Sequence, residues 1–266
     1  MVDATWRVRW MTVALSLWVL LALLPWQAAL AADKPAAAAE PSAVDAEKIL
    51  LQVDRKLQPD SCELFAQVTN QLANGRTSQV SFYGVRGHGK RSALILLTPD
   101  ELAGRALLRL EDEVWMHVPG ELALRQSSLT QSLVGGVFNN ADLLLTDYSV
   151  DYKATLLEES EDSYLLSLLP RRSGGPYTKL VMRVDRKLLL PKTVMQYGAN
   201  NQLIKTITFS KTGDSFGFPR PAEMQTASEM NKLYAATWQL GSIKARTFPA
   251  EAFSKAFLPK VGTLFK

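Results

Sequence analysis

After Pro59 the hydrophobic period of this chain changes from 3.6 residues to two. In Cys62–Leu72, Leu64, Ala66 and Val68 share one face, and in Ser78–Arg86, Val80 and Phe82 alternate with Ser81 and Tyr83. Strict alternation places successive side chains on opposite faces of a pleated strand. Asn74-Gly75 between the two runs is a strong hairpin turn. Gly87-His88-Gly89-Lys90 is a second turn, leading into the apolar run Ala93–Leu97. In Glu113–Val118, Val114, Met116 and Val118 face one way, and Trp115 and His117 the other. The same pattern continues to Ala245, most cleanly in Thr178–Asp185, where Leu180, Met182 and Val184 make one dry face. The expected chain is mainly β, with about ten or eleven antiparallel strands joined by short turns. Strands of this kind close into a sandwich or a barrel.

The segment before Pro59 obeys the other period. Ala46, Ile49, Leu50, Val53 and Leu57 recur at helical spacing, with Glu47, Lys48, Asp54 and Arg55 off that face. Ser42 is positioned to cap the helix, with Asp45 in its first turn, where negative charge suits the dipole. One amphipathic helix over 43–57 is therefore expected, lying on something apolar. A helical insertion is expected near Ala141–Asp147 and a short closing helix over Glu251–Leu258.

The first residues read as an address. Arg7 and Arg9 precede the apolar run Trp10–Leu24, Pro25 ends it, and Ala29-Leu30-Ala31 offers a small-x-small cleavage pattern. We read 1–31 as a secretory signal cleaved after Ala31 or Ala32, 32–43 as a Pro/Ala linker, and 44–266 as one domain. The expected location is the periplasm. The one cysteine, Cys62, cannot form an intramolecular disulfide and reads as a small half-buried hydrophobe.

Catalytic chemistry is sparse. His88 and His117 are the two imidazoles, one in a glycine turn and one beside Trp115. There is no HExxH, no Cys/His cluster, no Asp-rich calcium loop and no G-x-S-x-G elbow, so neither an enzyme nor a metal or cofactor is expected. The net charge of +4 is dispersed, which argues against nucleic acid as a partner. What remains is apolar surface on strands, with the adaptable Met116, Met182 and Met195 among it. A curved sheet has a concave face, and a helix covering it loosely leaves room for an apolar ligand.

The order of motifs resembles the outer-membrane lipoprotein-sorting family, the LolA-like periplasmic carriers. Pro99 and Gly104 precede the strand Ala106–Leu110, and Trp115 and Pro119 form a W-x-x-x-P. Arg125 and Ser127-Ser128 follow, then Gly135, Phe138, Asp142 and Leu143 in a G-x-x-F-x-x-x-D-L pattern. Tyr164 to Pro170, Tyr177 to Asp185, Leu190-Pro191-Lys192, and Tyr197 with the turn into Leu203-Ile204-Lys205 keep the family's order across about 45–260. One departure is Gly136-Val137, where the family often shows Ser-Asp.

The resemblance implies an incomplete, unclosed antiparallel β-barrel with a helical lid. It also implies a cavity for the acyl chains of a lipid or lipoprotein. Handover would run from an inner-membrane exporter of RND or ABC type to an outer-membrane acceptor. On that basis Phe82, Val114, Met116, Val118, Leu180, Met182, Val184, Ile207 and Phe209 are expected to line the cavity. Leu50, Val53, Val134, Val137, Phe138, Leu143 and Leu144 would form the lid, and Arg125 would stand at the mouth. Arg76 and Arg125 are candidates for an arginine that latches the lid. The chain is expected to work as a monomer. A lipid-sensing regulatory or protein-binding module on the same scaffold is the alternative.

Overall fold

The computed structural model describes residues 44–144, 147–215 and 218–265. The expected signal segment, the linker and Ser42 lie outside the described residues.

Thirteen strands form one antiparallel sheet. In chain order they are β1 Cys62–Gln71, β2 Thr77–Gly87, β3 Arg91–Thr98, β4 Ala106–Leu110, β5 Glu113–His117, β6 Arg125–Ser127 and β7 Tyr152–Glu159. Then come β8 Ser163–Pro170, β9 Lys179–Asp185, β10 Pro191–Tyr197, β11 Leu203–Ser215, β12 Phe218–Ser228 and β13 Ala235–Ala245. Their spatial order is β6-β5-β4-β3-β2-β1-β13-β12-β11-β10-β9-β8-β7, so the sheet is not closed into a barrel and its edges are β6 and β7. The count exceeds the expected ten or eleven. One reason is β6, three residues too short and too polar to show a period. The sheet curves back on itself: Asp112, in the β4–β5 turn, ion-pairs Arg172 of the β8–β9 loop at 2.8 Å, although most of the sheet separates them in hydrogen-bonding order.

Three apolar clusters hold the molecule. The first joins Leu64, Val68, Phe82, Leu94, Leu107 and Trp238 of the sheet to Val134, Phe138, Leu143 and Leu144 of the β6–β7 connection. The second joins Leu50 and Val53 to Leu166, Leu168, Leu180, Met182, Val184 and Val194. The third lies on the opposite face of β2–β4, where Val85, Ala93 and Leu108 meet Phe253, Leu258 and Val261. The last cluster explains why Ala93–Leu97 is apolar on both faces: each face of β3 is covered. The expected closing helix is instead two 3-10 segments, Ala250–Phe253 and Leu258–Phe265. Cys62 is fully buried rather than half-buried, and burial pushes its thiol up to about 11.

Helix α1 runs Ala46–Leu57. Its cap is Asp45, one turn later than the expected Ser42, and the Asp45 carboxylate accepts from the backbone of Glu47 and Lys48. The helix packs against β7 and β12. Its Glu47 accepts from the backbone N–H of Ala154 at 3.0 Å, which satisfies a donor that the edge strand β7 would otherwise expose. Among the described residues the β6–β7 connection carries two single-turn helices, α2 Asn140–Leu143 and α3 Tyr148–Asp151. The helical insertion expected near Ala141–Asp147 is thus met by α2 over its first residues, and most of the described connection is irregular chain.

Candidate binding cavity

An internal cavity of about 120 Å³ lies between the sheet and its covers. Leu64, Leu180, Ile207, Phe209, Met224, Trp238, Leu240 and Ile243 supply the sheet side; Leu57 and Gln58 come from the end of α1, and Leu129, Ala141 and Asp142 from the β6–β7 connection. Of the nine residues expected to line a cavity, Leu180, Ile207 and Phe209 border this one. Phe82 and Val114 pack into the first cluster, with Met116 against it, and Met182 and Val184 lie beneath α1 in the second. Val118 falls just past the end of β5. The expected lid residues Leu50 and Val53 are buried in the second cluster, and Val134, Phe138, Leu143 and Leu144 in the first, with Val137 packed against that cluster. They hold the covers down without bordering the space. Arg125 is well exposed, pairs with Glu121 four residues earlier, and borders neither this cavity nor the one described below. Trp238, Leu240 and Ile243 were missed, although the alternation of Ala236, Trp238 and Leu240 on β13 marks them as one face.

The fastening of the cover is the feature that sequence reasoning did not find. Three aspartates of the β6–β7 connection meet three buried cations of the sheet. Lys205 of β11, 2% exposed, donates to Asp142. Arg86 of β2, 1% exposed, donates to Asp147. Arg109 of β4, also 1% exposed, holds Asp151 with two bonds of 3.0 Å. Bidentate guanidinium–carboxylate pairs are among the strongest and most directional side-chain contacts. Arg76 has no such place, because it lies in the exposed β1–β2 turn.

Asp142 is the busiest of these groups. It completes a capping box with Asn139 at the start of α2 and accepts from Gln196 Nε2 at 3.2 Å. The tyrosine hydroxyl of Tyr177 lies 3.5 Å from the same carboxylate, and Asn139 donates to that hydroxyl at 2.7 Å. Gly136, in the Gly136-Val137 pair that departs from the family pattern, also has a local cause. Gly136 has φ 72°, and a Cβ there would stand 2.1 Å from Asn70 Oδ1. Asn70 is fully buried and donates to the Val134 carbonyl at 3.1 Å, so a side chain at 136 would displace this tie.

A fourth acid acts from α1. Asp54, expected off the buried face, is 1% exposed. Its two oxygens accept the N–H groups of Tyr148 and Ser149 at 2.9 and 2.8 Å. These are first-turn donors of α3 whose own cap residue, Asp147, makes no capping bond because it is turned toward Arg86. Burial, and next the Asp147 charge, push the Asp54 carboxyl up to about 6. Gln196 Oε1 and Trp238 Nε1 are buried and have no hydrogen-bond partner, on residues that both border the space. An unpaired buried group costs about 1–3 kcal/mol, so an alkane alone is not the best complement to this lining.

Among the described residues no group of three metal-ligating side chains occurs, and no helix is long and apolar enough to cross a membrane.

The fold has counterparts among solved structures. A LolA superfamily protein of Nitrosomonas europaea superposes with a TM-score of 0.75 at 22% identity, covering 81% of this chain and 100% of that one. A domain from Vibrio parahaemolyticus described as an outer membrane lipoprotein-sorting protein gives 0.69 at 18% identity, covering 80% and 98%. A DUF1329 family protein of Desulfovibrio piger gives 0.68 at 19%, covering 80% and 97%. The chain shares the fold of these three proteins. In sequence, a family model described as "Uncharacterized protein" matches residues 88–260. The chain belongs to that family. No protein of curated description matches it in sequence. The matched residues run from the β2–β3 turn past β13, and so include Arg109, Asp142, Asp147, Asp151 and Lys205.

Proposed function

We propose that this chain is an exported carrier that shields the acyl chains of a lipid or lipoprotein on their way from an inner-membrane exporter to an outer-membrane acceptor. The observation that carries this reading is an apolar cavity beneath a cover tied down by discrete ion pairs, on a LolA-like sheet. Each methylene taken out of water is worth about 0.8 kcal/mol, so long chains need such a shelter to cross an aqueous compartment. The present cavity is small for them. A dry engineered cavity of about 150 Å³ holds one benzene. Loading therefore has to lift the cover, and three separate ion pairs can break and re-form where a continuous apolar interface would resist.

The test is direct. Protein purified without detergent and extracted with organic solvent is expected to release an amphiphile, identified by mass spectrometry. Adding an acyl-chain lipid to the extracted protein is expected to speed backbone hydrogen exchange over 129–151 while α1 stays protected. No extracted lipid, no binding of added lipid and unchanged exchange would sink the reading. Export itself predicts a mature N-terminus at Ala32 or Asp33, read by N-terminal sequencing.

A further inference from the structure

A second cavity, of about 410 Å³, opens where the curved sheet comes back on itself. One wall is the β2–β3 turn at Gly89 and Lys90 with the β4–β5 turn at Glu111 and Asp112; the other is the loop from Arg171 to Pro176. Arg109, Leu129, Asp151, Tyr152 and Pro176 border both this space and the apolar one. The two spaces therefore adjoin.

The charges in this vestibule are mixed, and they are held with unequal grip. Lys90, Arg109, Arg171 and Arg172 face Glu111, Asp112 and Asp151. Arg109 is buried and committed to Asp151. Lys90, largely buried, bridges Asp112 at 2.6 Å and Asp151 at 3.0 Å. Arg172 differs: among the described residues its one ionic partner is Asp112, and the two side chains are 72% and 55% exposed. Exposed pairs contribute about 0–1 kcal/mol, so this guanidinium is readily released to a better anion. A phosphate offers several oxygens, enough to satisfy the Arg172 fork and the Lys90 ammonium together, which a carboxylate with two oxygens does less well.

We propose that this vestibule is the headgroup site of a phosphate-bearing amphiphile whose hydrocarbon lies in the adjoining apolar cavity. The proposal rests on the carrier reading above and adds to it the chemical class of the cargo. Arg172 is the reporter, because changing it disturbs neither the cover nor the apolar lining.

Calorimetric titration with two lipids of one tail length decides it: a myristoyl lysophosphatidic acid and monomyristoylglycerol. The purified protein is expected to bind the phosphate lipid at least about tenfold more tightly, with the margin shrinking as salt is raised. Arg172→Ser is expected to cut that preference several-fold, and Arg172→Glu to abolish it, both leaving monomyristoylglycerol affinity unchanged. Inorganic phosphate alone is expected to bind far more weakly than the lysolipid. Equal affinity for the two lipids overturns the headgroup site and leaves the carrier standing. A preference untouched in Arg172→Glu overturns the assignment to this vestibule. Phosphate binding as tight as the lysolipid makes it a free-anion site, and binding of neither lipid removes the carrier reading together with this one.

Discussion

The sheet is covered by two pieces of chain that use opposite physics. Helix α1 buries a hydrocarbon stripe, Ile49, Leu50 and Val53, against β7–β10; its pair of Glu47 with Arg171 stands at the solvent edge, and its Arg55 reaches Asp147 of the other cover at 3.6 Å. The β6–β7 connection also buries apolar side chains, but three buried cation–carboxylate pairs fix its position. Apolar packing is non-directional and resists separation in proportion to area. A buried ion pair is directional, and breaking one by removing a partner is costly, yet as a stabiliser it is no better than well-packed hydrocarbon. A fixed cover is best made the first way. A cover that must open and return to one register is better served by the second.

The comparison is broken most severely at Asp142. Asp142→Ala strands the Lys205 ammonium in the interior and removes the α2 capping box at the same time. A loss of about 5 kcal/mol in urea-unfolding free energy is expected, combining a broken buried pair with a lost cap. The signature that matters is rescue. The double change Asp142→Leu with Lys205→Met, which removes both charges, should recover most of the loss. A double variant as unstable as the single would mean that geometry, not an uncompensated charge, holds the cover.

Leu50→Ala sharpens the same contrast from the other side. Leu50 is fully buried beneath α1, and truncation should cost about 3 kcal/mol through lost transfer energy and a residual cavity. Hydrogen exchange should then rise in α1 and β7–β9, with 129–151 no less protected than before. Equal loosening of both covers would show that they move as one unit and that the distinction drawn here is wrong.

Much of the wall was legible, because a strand with one dry face declares itself by alternation. Leu180, Met182 and Val184 fall where that rule puts them. The cavity was less legible, since alternation separates inward from outward residues and does not tell a packed position from a bordering one. Phe82 and Leu64 both point into the first cluster, yet Leu64 borders the space and Phe82 does not. The fastening was hidden for a different reason. Arg86 and Asp147 are 61 residues apart, Lys205 and Asp142 63, and nothing local in either member marks it as one of a pair. Asp54 misled outright, because its polarity on an amphipathic helix pointed to solvent while its actual partners were two backbone N–H groups of α3.

Asp54 also supplies the mildest test of the comparison, because it is the acid by which the hydrocarbon cover touches the ionic one. In the folded protein its carboxyl keeps a proton up to about pH 6, held by burial against the ordinary carboxylate value of 3.8. Between those two values the native state binds a proton that the unfolded chain has released. The associated stability is therefore full below about pH 4 and is lost as pH rises through about 6. Carboxylates such as Asp112 and Asp185, whose partners lower them, contribute with the opposite slope at lower pH. Thermal melts at a series of pH values should show the native protein losing more stability between about pH 4 and 6 than Asp54→Asn, which cannot titrate. Parallel pH profiles for the two proteins would assign the titration elsewhere and leave the junction between the covers without a pH-dependent joint.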